Sequence, residues 1–490
     1  MSGRAGKMIA ASTAVCAVLS PVATANEASG ATAAAAFACR VDYSVNDWGS
    51  GFGVNVTIDN LGSSAVNGWT LTYSYTGNQT LQQGWQGVWS QSGKQVTVTN
   101  ATWNGAIPAG GNVKPGANFS YSGTNTAPTA FAVNGAACTG TPPPTDPPPT
   151  GAAAPALHVS GNKLLTAAGA TYRLLGVNRA SAEFACVQGK GMWDSGPVDQ
   201  ASVDAMRAWK IRSVRIPLNE DCWLGLSGTP SGATYQQAVK DYVNLLVANG
   251  INPIVDLHWT HGQYTGNISA CADVNATCQK PMPSMQYTPM FWTQVANAFK
   301  GNNAVVFDLF NEPYPDAADN WANPTAEWQC LRDGGTCAGF TYQVAGMQDL
   351  LDAVRATGAT NVVMSAGIRW TNDLTQWLAY KPTDPTGNLM ASWHSYNFNA
   401  CVTVSCWDSE IGTVAAQVPL LAGEIGQDTC AHNYIDQVMA WLDSKGLGYT
   451  AWTWNPWGCG SGNVLITDYS GTPTPTYGEG YRSHLLTVSS

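Results

Sequence analysis

Eight short apolar runs recur between residues 172 and 454, with helical patterns between most of them. They are YRLLGVN (172–178), IRSVRIPL (211–218), INPIVDLHW (251–259), AVVFDLFNEP (304–313), NVVMSAGI (361–368), LMASWHSY (389–396), PLLAGEIG (419–426) and GYTAWTW (448–454). Runs this apolar belong to strands buried on both faces, as in a parallel sheet covered by helices. In YQQAVKDYVNLLVANG, residues Tyr235, Val239, Tyr242, Val243, Leu246 and Val247 share one helical face, and Gly250 supplies the stop. The pattern predicts an α/β fold, a (β/α)8 TIM barrel over residues 156–490. A doubly wound sheet is the alternative, but it does not naturally give eight units.

The chain has 490 residues, too many for one ordinary core, and a multidomain layout is expected. TGTPPPTDPPPTGAAAP, residues 139–155, reads as a Pro/Thr-rich linker, since proline favours extended polyproline II and makes a semi-rigid spacer. Before it, residues 37–138 show no helical period. Short alternating runs such as GVNVTIDNLG, GWTLTYSY and KQVTVTNATW, separated by Gly, Asn and Ser, predict an all-β sandwich. Residues 1–25 read as a secretory signal peptide: Arg4 and Lys7, the apolar MIAASTAVCAVLS, then Ala23-Thr24-Ala25 as a small-residue cleavage site. The expected location is therefore extracellular, with no membrane span.

Export makes the cysteines informative. Thirteen are present, and loss of Cys16 with the leader leaves an even set, as disulfides require. Cys271/Cys278, Cys330/Cys337 and Cys401/Cys406 are close enough in sequence to close small loops; the others are paired as Cys39–Cys138, Cys186–Cys222 and Cys430–Cys459. No Cys/His set has zinc spacing, and neither metal nor cofactor is expected. Net charge is 22 − 32 = −10 without any Lys/Arg-rich run, which argues against nucleic-acid binding. The 20 tryptophans, many beside Gly, Asn or Ser, suggest flat surfaces that stack on a ligand.

Active sites of such barrels form at the C-terminal strand ends. Glu312 ends the fourth run and Glu424 the seventh, with Arg215 on the second, His258 on the third, His394 and Tyr396 on the sixth, and Trp454 on the eighth. Two facing carboxylates suit glycosidic cleavage, one protonated to donate to the leaving oxygen, the other ionised to attack. Arg215 is placed to hold Glu424 ionised, Asn311 to hydrogen-bond a sugar 2-hydroxyl, and Trp454 to stack under the ring. Trp321 and Trp328, in the loop after Glu312, are candidates for a leaving-side sugar.

The motifs VRIPL, DLHW, FNEP, HSY, GEIG and WNPWG, in that order on the expected strands, make residues 156–490 resemble a glycoside hydrolase of family 5, in the retaining barrel clan. The resemblance implies Glu312 as general acid/base and Glu424 as nucleophile, with Asn311, Arg215, His258, His394, Tyr396 and Trp454 completing the site. Residues 37–138 resemble a family 2 carbohydrate-binding module through the terminal Cys39/Cys138 pair and NDWGSGF, NGWTLTYSY, QQGWQGVW and ATWNGAIPAGG. That resemblance implies a cellulose-binding platform of Trp48, Trp85 and Trp103, with Trp69 in the core; Trp89 either extends the platform or fills space.

Together these features favour a secreted, monomeric endo-β-1,4-glucanase acting on insoluble plant-type polysaccharide. The alternatives are the same mechanism on another β-glycan (a β-mannanase, a xylan- or xyloglucan-active enzyme, another β-glucanase), transglycosylation, or a non-catalytic polysaccharide-binding protein.

Overall fold

A computed structural model describes residues 39–61, 65–138, 153–194, 196–226, 232–266, 268–461 and 463–488. The leader expected at 1–25 lies outside the described residues, as does nearly all of the 139–155 linker. The chain divides into two compact units, residues 1–144 and 145–490.

The second unit is a closed parallel barrel. Its strands are β1 (Leu175–Asn178), β2 (Ser213–Asn219), β3 (Asn252–Trp259), β4 (Val306–Asp308), β5 (Val363–Ser365), β6 (Leu389–Tyr396), β7 (Leu420–Gly426) and β8 (Gly448–Ala451). Each lies within one of the eight apolar runs. All residues of these strands are buried except the half-buried Trp259, which is why the sequence shows no alternation there. The helix Ala233–Ala248 buries Tyr235, Val239, Tyr242, Val243 and Leu246 against the barrel, and Gly250 follows at φ +80°, the left-handed conformation that glycine tolerates best. An antiparallel hairpin, Leu157–Ser160 with Lys163–Thr166, closes the N-terminal end: Leu157 and Leu164 pack with Ile254, Val306, Met364 and Leu421. No helix among the described residues is long and apolar enough to cross a membrane.

One strand is shorter than its run. Ladder pairing in β4 stops at Asp308, yet Leu309 N–H still donates to Met364 O (3.1 Å) and Asn311 N–H to Leu257 O (3.0 Å). Asn311-Glu312-Pro313 therefore leaves the barrel still tied to both neighbouring strands, and Glu312 stands on the rim rather than within the strand.

The first unit is two antiparallel sheets over one core. One contains Cys39–Asp47, Gly51–Asn60, Gly116–Ser120 and Thr80–Trp85; the other Phe131–Val133, Thr70–Ser74, Gln95–Thr99 and Val88–Ser92. Val54, Val56 and Ile58 alternate inward against Leu71, Val96, Val98 and Phe119, the period-2 pattern of a sandwich. Trp69 is buried there, with its indole N–H donating to Asn104 O at 2.8 Å. The disulfides among the described residues are Cys39–Cys138, Cys186–Cys222, Cys271–Cys278, Cys330–Cys337, Cys401–Cys406 and Cys430–Cys459, the pairings expected from the sequence.

Candidate active site

A cleft of about 1150 Å3 opens at the C-terminal ends of the barrel strands, and Glu312 and Glu424 both line it. An oxygen of each carboxylate and a ring nitrogen of His394 lie within 4.8 Å of one another. His394 Nδ1 is 3.0 Å from Glu312 Oε1 and 3.7 Å from Glu424 Oε2.

The two carboxyls have different surroundings. Glu424 accepts from the Arg215 guanidinium at 2.9 Å and from the Tyr396 hydroxyl at 2.6 Å. Glu312 has no such cation in contact; it accepts from the Gln279 amide at 3.3 Å. Burial raises the pKa of Glu312, and His258, Gln279 and Arg215 only partly counteract it.

Behind Glu424 lies a buried polar layer. Arg215, fully enclosed, meets Asp256 at 2.9 Å and Asp308 at 3.0 Å as well as Glu424, and donates to Asn178 Oδ1 (3.1 Å) and Asn311 Oδ1 (2.8 Å). Burial opposes its charge, but the three carboxylates outweigh burial and raise its pKa. Burial pushes Asp256 and Asp308 up to about 7, against the pull of Arg215. His258 Nδ1 contacts Asp256 at 2.6 Å, yet burial holds its pKa down to about 4; burial likewise holds His394 down to about 3. Both imidazoles are therefore neutral near pH 7.

Of the sequence candidates, Glu312, Glu424, His258 and Tyr396 line the cleft. Arg215, Asn311 and His394 stand one layer below: Arg215 and His394 touch the carboxyls, and Asn311 is held by Arg215. Trp454 requires correction. It is fully buried with its ring edge-on to Trp209 (4.9 Å), so it offers no stacking surface. The chain bends at Trp452 immediately after β8, and strand alternation no longer applies there. Trp452 lines the cleft instead, stacked on His258 at 5.6 Å. Trp321 also lines it and is 46% exposed, whereas Trp328 is buried against Tyr380.

Sequence reasoning missed Trp452, Gln279, Trp370, Asp256 and Asp308. The last two carried a signal, being carboxylates inside otherwise apolar runs. Gln279 carried none, since it sits in a long aperiodic loop after β3.

On the first unit, Trp48, Trp85 and Trp103 are exposed by 56%, 38% and 71%. A Cβ on Gly51 would come within 2.9 Å of the Trp48 ring, and one on Gly116 within 2.6 Å of the Trp85 ring. Gly116 is the cross-strand partner of Trp85, and Asn118, two residues on, is the partner of Gly53 beside Trp48. Both indoles therefore lie on the same outer face of one sheet, held flat by glycines. Trp89 fills space: it is half-buried over Gly84, and its N–H donates to Trp85 O at 3.3 Å.

Residues 175–458 match the family model for cellulase (glycosyl hydrolase family 5). The chain belongs to glycosyl hydrolase family 5. Residues 39–138 match the model of a cellulose binding domain. Endoglucanase CelA of Streptomyces lividans is 27% identical over 472 residues, covering 90% of each chain. Exoglucanase A of Cellulomonas fimi is 50% identical over 107 residues, 22% of this chain. The chain spans only 12% of the length of that relative and 9% of Exoglucanase B from the same organism. Among solved structures, the β-glucanase SdGluc5_26A of Saccharophagus degradans shares the fold: TM-score 0.52 at 20% identity, over 71% of this chain and 99% of that one.

Proposed function

We propose that this family 5 protein is a secreted endo-β-1,4-glucanase that cleaves internal bonds of cellulose with retention of configuration. The observation that carries the reading is the approach of the two carboxyls. An oxygen of one lies within 4.8 Å of an oxygen of the other, in keeping with the roughly 5–5.5 Å separation of a retaining pair and short of the ~6.5–9.5 Å of an inverting pair.

Glu424, as the carboxylate, attacks the anomeric carbon while Arg215 and Tyr396 hold its orientation. Glu312, its acidic form favoured by burial, gives its proton to the departing glycosidic oxygen. The glycosidic C–O bond breaks and a Glu424–sugar ester forms. Glu312 then takes a proton from water, the water oxygen attacks the anomeric carbon, and the ester bond breaks to free Glu424. Trp452 provides the stacking face in the cleft, and Asn311, its Oδ1 held by Arg215, supports the site from beneath.

The tryptophan-bearing unit, residues 37–138, holds the enzyme on cellulose. Exposed indoles recover apolar area on a flat glucan with little ordering cost, and tethering raises the local concentration of substrate. The endoglucanase name of the Streptomyces lividans relative supports the substrate.

The test is reducing-sugar release from amorphous cellulose, β-mannan, xylan and mixed-linkage glucan by intact protein and by Glu424→Ala. Preferential cleavage of cellulose, lost by about three orders of magnitude or more in the variant, is expected. Dominant mannan or xylan cleavage would keep the mechanism and overturn the substrate. Unchanged activity in the variant would overturn the assignment of the nucleophile.

A further inference from the structure

Three consecutive non-glycine residues beside the cleft have left-handed backbone: Arg369 (φ 53°, ψ 54°), Trp370 (φ 55°, ψ 43°) and Thr371 (φ 62°). Such a turn is disfavoured for any L residue, and most for β-branched Thr371, so surrounding contacts must impose it. Those contacts converge on one short segment. The Thr371 hydroxyl donates to Asn311 O at 2.8 Å, and Trp370 N–H donates to Pro313 O at 3.0 Å. The Trp370 ring stacks on Tyr314 at 4.7 Å, and Arg369 N–H donates to the Asp316 carboxylate at 3.3 Å. The turn thus holds the residue before Glu312, the residue after it and the next elements of the chain, but not Glu312 itself.

A second left-handed pair, Asn320 (φ 53°) and Trp321 (φ 54°), hangs from the same place, with Trp321 N–H donating to Asp316 O at 2.7 Å. Regular strand ends at Asp308, and the last hydrogen bond to a neighbouring strand, Asn311 N–H to Leu257 O, comes one residue before Glu312. The Glu312 backbone lies just past that tie, and the left-handed turn adds a second hold on Asn311 and a hold on Pro313 beyond it. Sub-ångström placement matters for proton transfer, because the acid must reach the leaving oxygen as the bond lengthens.

We propose that the left-handed turn Arg369–Thr371 is a clamp that positions Glu312 for proton donation, with Thr371 as its key positioning residue. The proposal rests on the reading of Glu312 as the general acid. It does not make Thr371 a catalytic residue, since Thr371 is fully buried and reaches the chemistry only through the backbone of Asn311.

Leaving-group dependence tests it. A 2,4-dinitrophenyl β-cellobioside releases a phenolate that needs no proton, whereas an unsubstituted phenyl β-cellobioside needs the acid. The quantity read is the ratio of kcat/KM for the phenyl substrate to that for the dinitrophenyl one. This ratio does not depend on how much of a variant is folded, so partial unfolding cannot imitate the effect. Thr371→Val, which keeps the branched shape and removes the hydroxyl, is expected to lower the ratio by about tenfold or more. Thr371→Ser, which restores the donor, is expected to return the wild-type ratio. Equal losses on both substrates, or an unchanged ratio in Thr371→Val, would overturn the clamp. Glu312→Ala is run beside them and should lower the ratio by about a hundredfold or more. A flat response there would remove the acid assignment itself and the clamp with it, while a strong response there with none in Thr371→Val would sink the clamp alone.

Discussion

The two units use aromatic and charged residues in opposite ways. On the first unit, function is presented outward: Trp48 and Trp85 lie flat on one sheet face, and glycines at 51 and 116 make room for them. In the barrel, function is carried by buried charge: Arg215, Asp256 and Asp308 are fully enclosed, and only the tips of Glu312 and Glu424 reach the cleft. An exposed indole contributes area and little else, so each one should act nearly independently. A buried ionic cluster acts as a unit, because removing one partner leaves the others uncompensated in a low-dielectric interior. The binding face should therefore lose function by increments, and the site should lose it at once.

Arg215→Met gives the largest expected effect. It leaves Asp256, Asp308 and Glu424 facing one another without the cation that offsets their burial. We expect a loss of about 3–5 kcal/mol of stability by denaturant titration, together with near-complete loss of hydrolysis. Retained stability would show that the carboxyls take up protons and tolerate the loss, and the contrast between the two units would then weaken.

The pair Trp454→Ala and Trp452→Ala separates core from surface within three residues of one another. Trp454 is buried against Trp209, and its removal should cost about 3–5 kcal/mol, read as a lowered Tm. Trp452 lines the cleft, and its removal should raise KM for soluble cello-oligosaccharides with a much smaller change in Tm. The reverse outcome would restore Trp454 as the stacking residue.

Among the exposed indoles of the first unit, Trp48→Ala and Trp103→Ala should each weaken adsorption to crystalline cellulose by roughly 1–2 kcal/mol, about 5- to 30-fold in affinity. Hydrolysis of soluble substrate should not change. A fall in soluble activity would mean that the two units do not act independently.

The contrast also decides what was legible. A strand buried on both faces has to be apolar throughout, so the eight barrel strands stood out as runs. The glutamates stood out because a carboxylate at the end of such a run is costly unless it has a task. Exposed tryptophans beside glycine were readable for the same reason in reverse. Depth was not readable: nothing in VRIPL says that Arg215 stops one layer short of the cleft. Register failed at β8, where the bend at Trp452 ends the alternation on which Trp454 depended. The left-handed turn was invisible, because Arg369, Trp370 and Thr371 lack the Gly or Asn that marks such backbone.

The smallest effect probes how finely the site is adjusted. Glu312 is faced by Glu424, by His258 and Asp256 from β3, by His394 and Arg215 from the layer below, and by Tyr396 and Tyr314. Both imidazoles are already neutral well below pH 6, so the alkaline limb of kcat/KM reports the carboxyls, Glu312 together with Asp256 and Asp308 at about 7. A change confined to the Gln279 contact reads Glu312. The amide of Gln279 donates to this carboxyl at 3.3 Å, which favours the ionised form and lowers the pKa. Gln279→Leu removes that donor, so the ionised form is disfavoured, the pKa rises, and the acid persists to higher pH. The alkaline limb should move upward by less than about one pH unit, the size expected of a single long hydrogen bond. Movement to lower pH would mean that Gln279 stabilises the protonated carboxyl instead, its amide oxygen accepting the Glu312 proton. An unmoved limb would mean that the amide orients the side chain without adjusting its proton affinity.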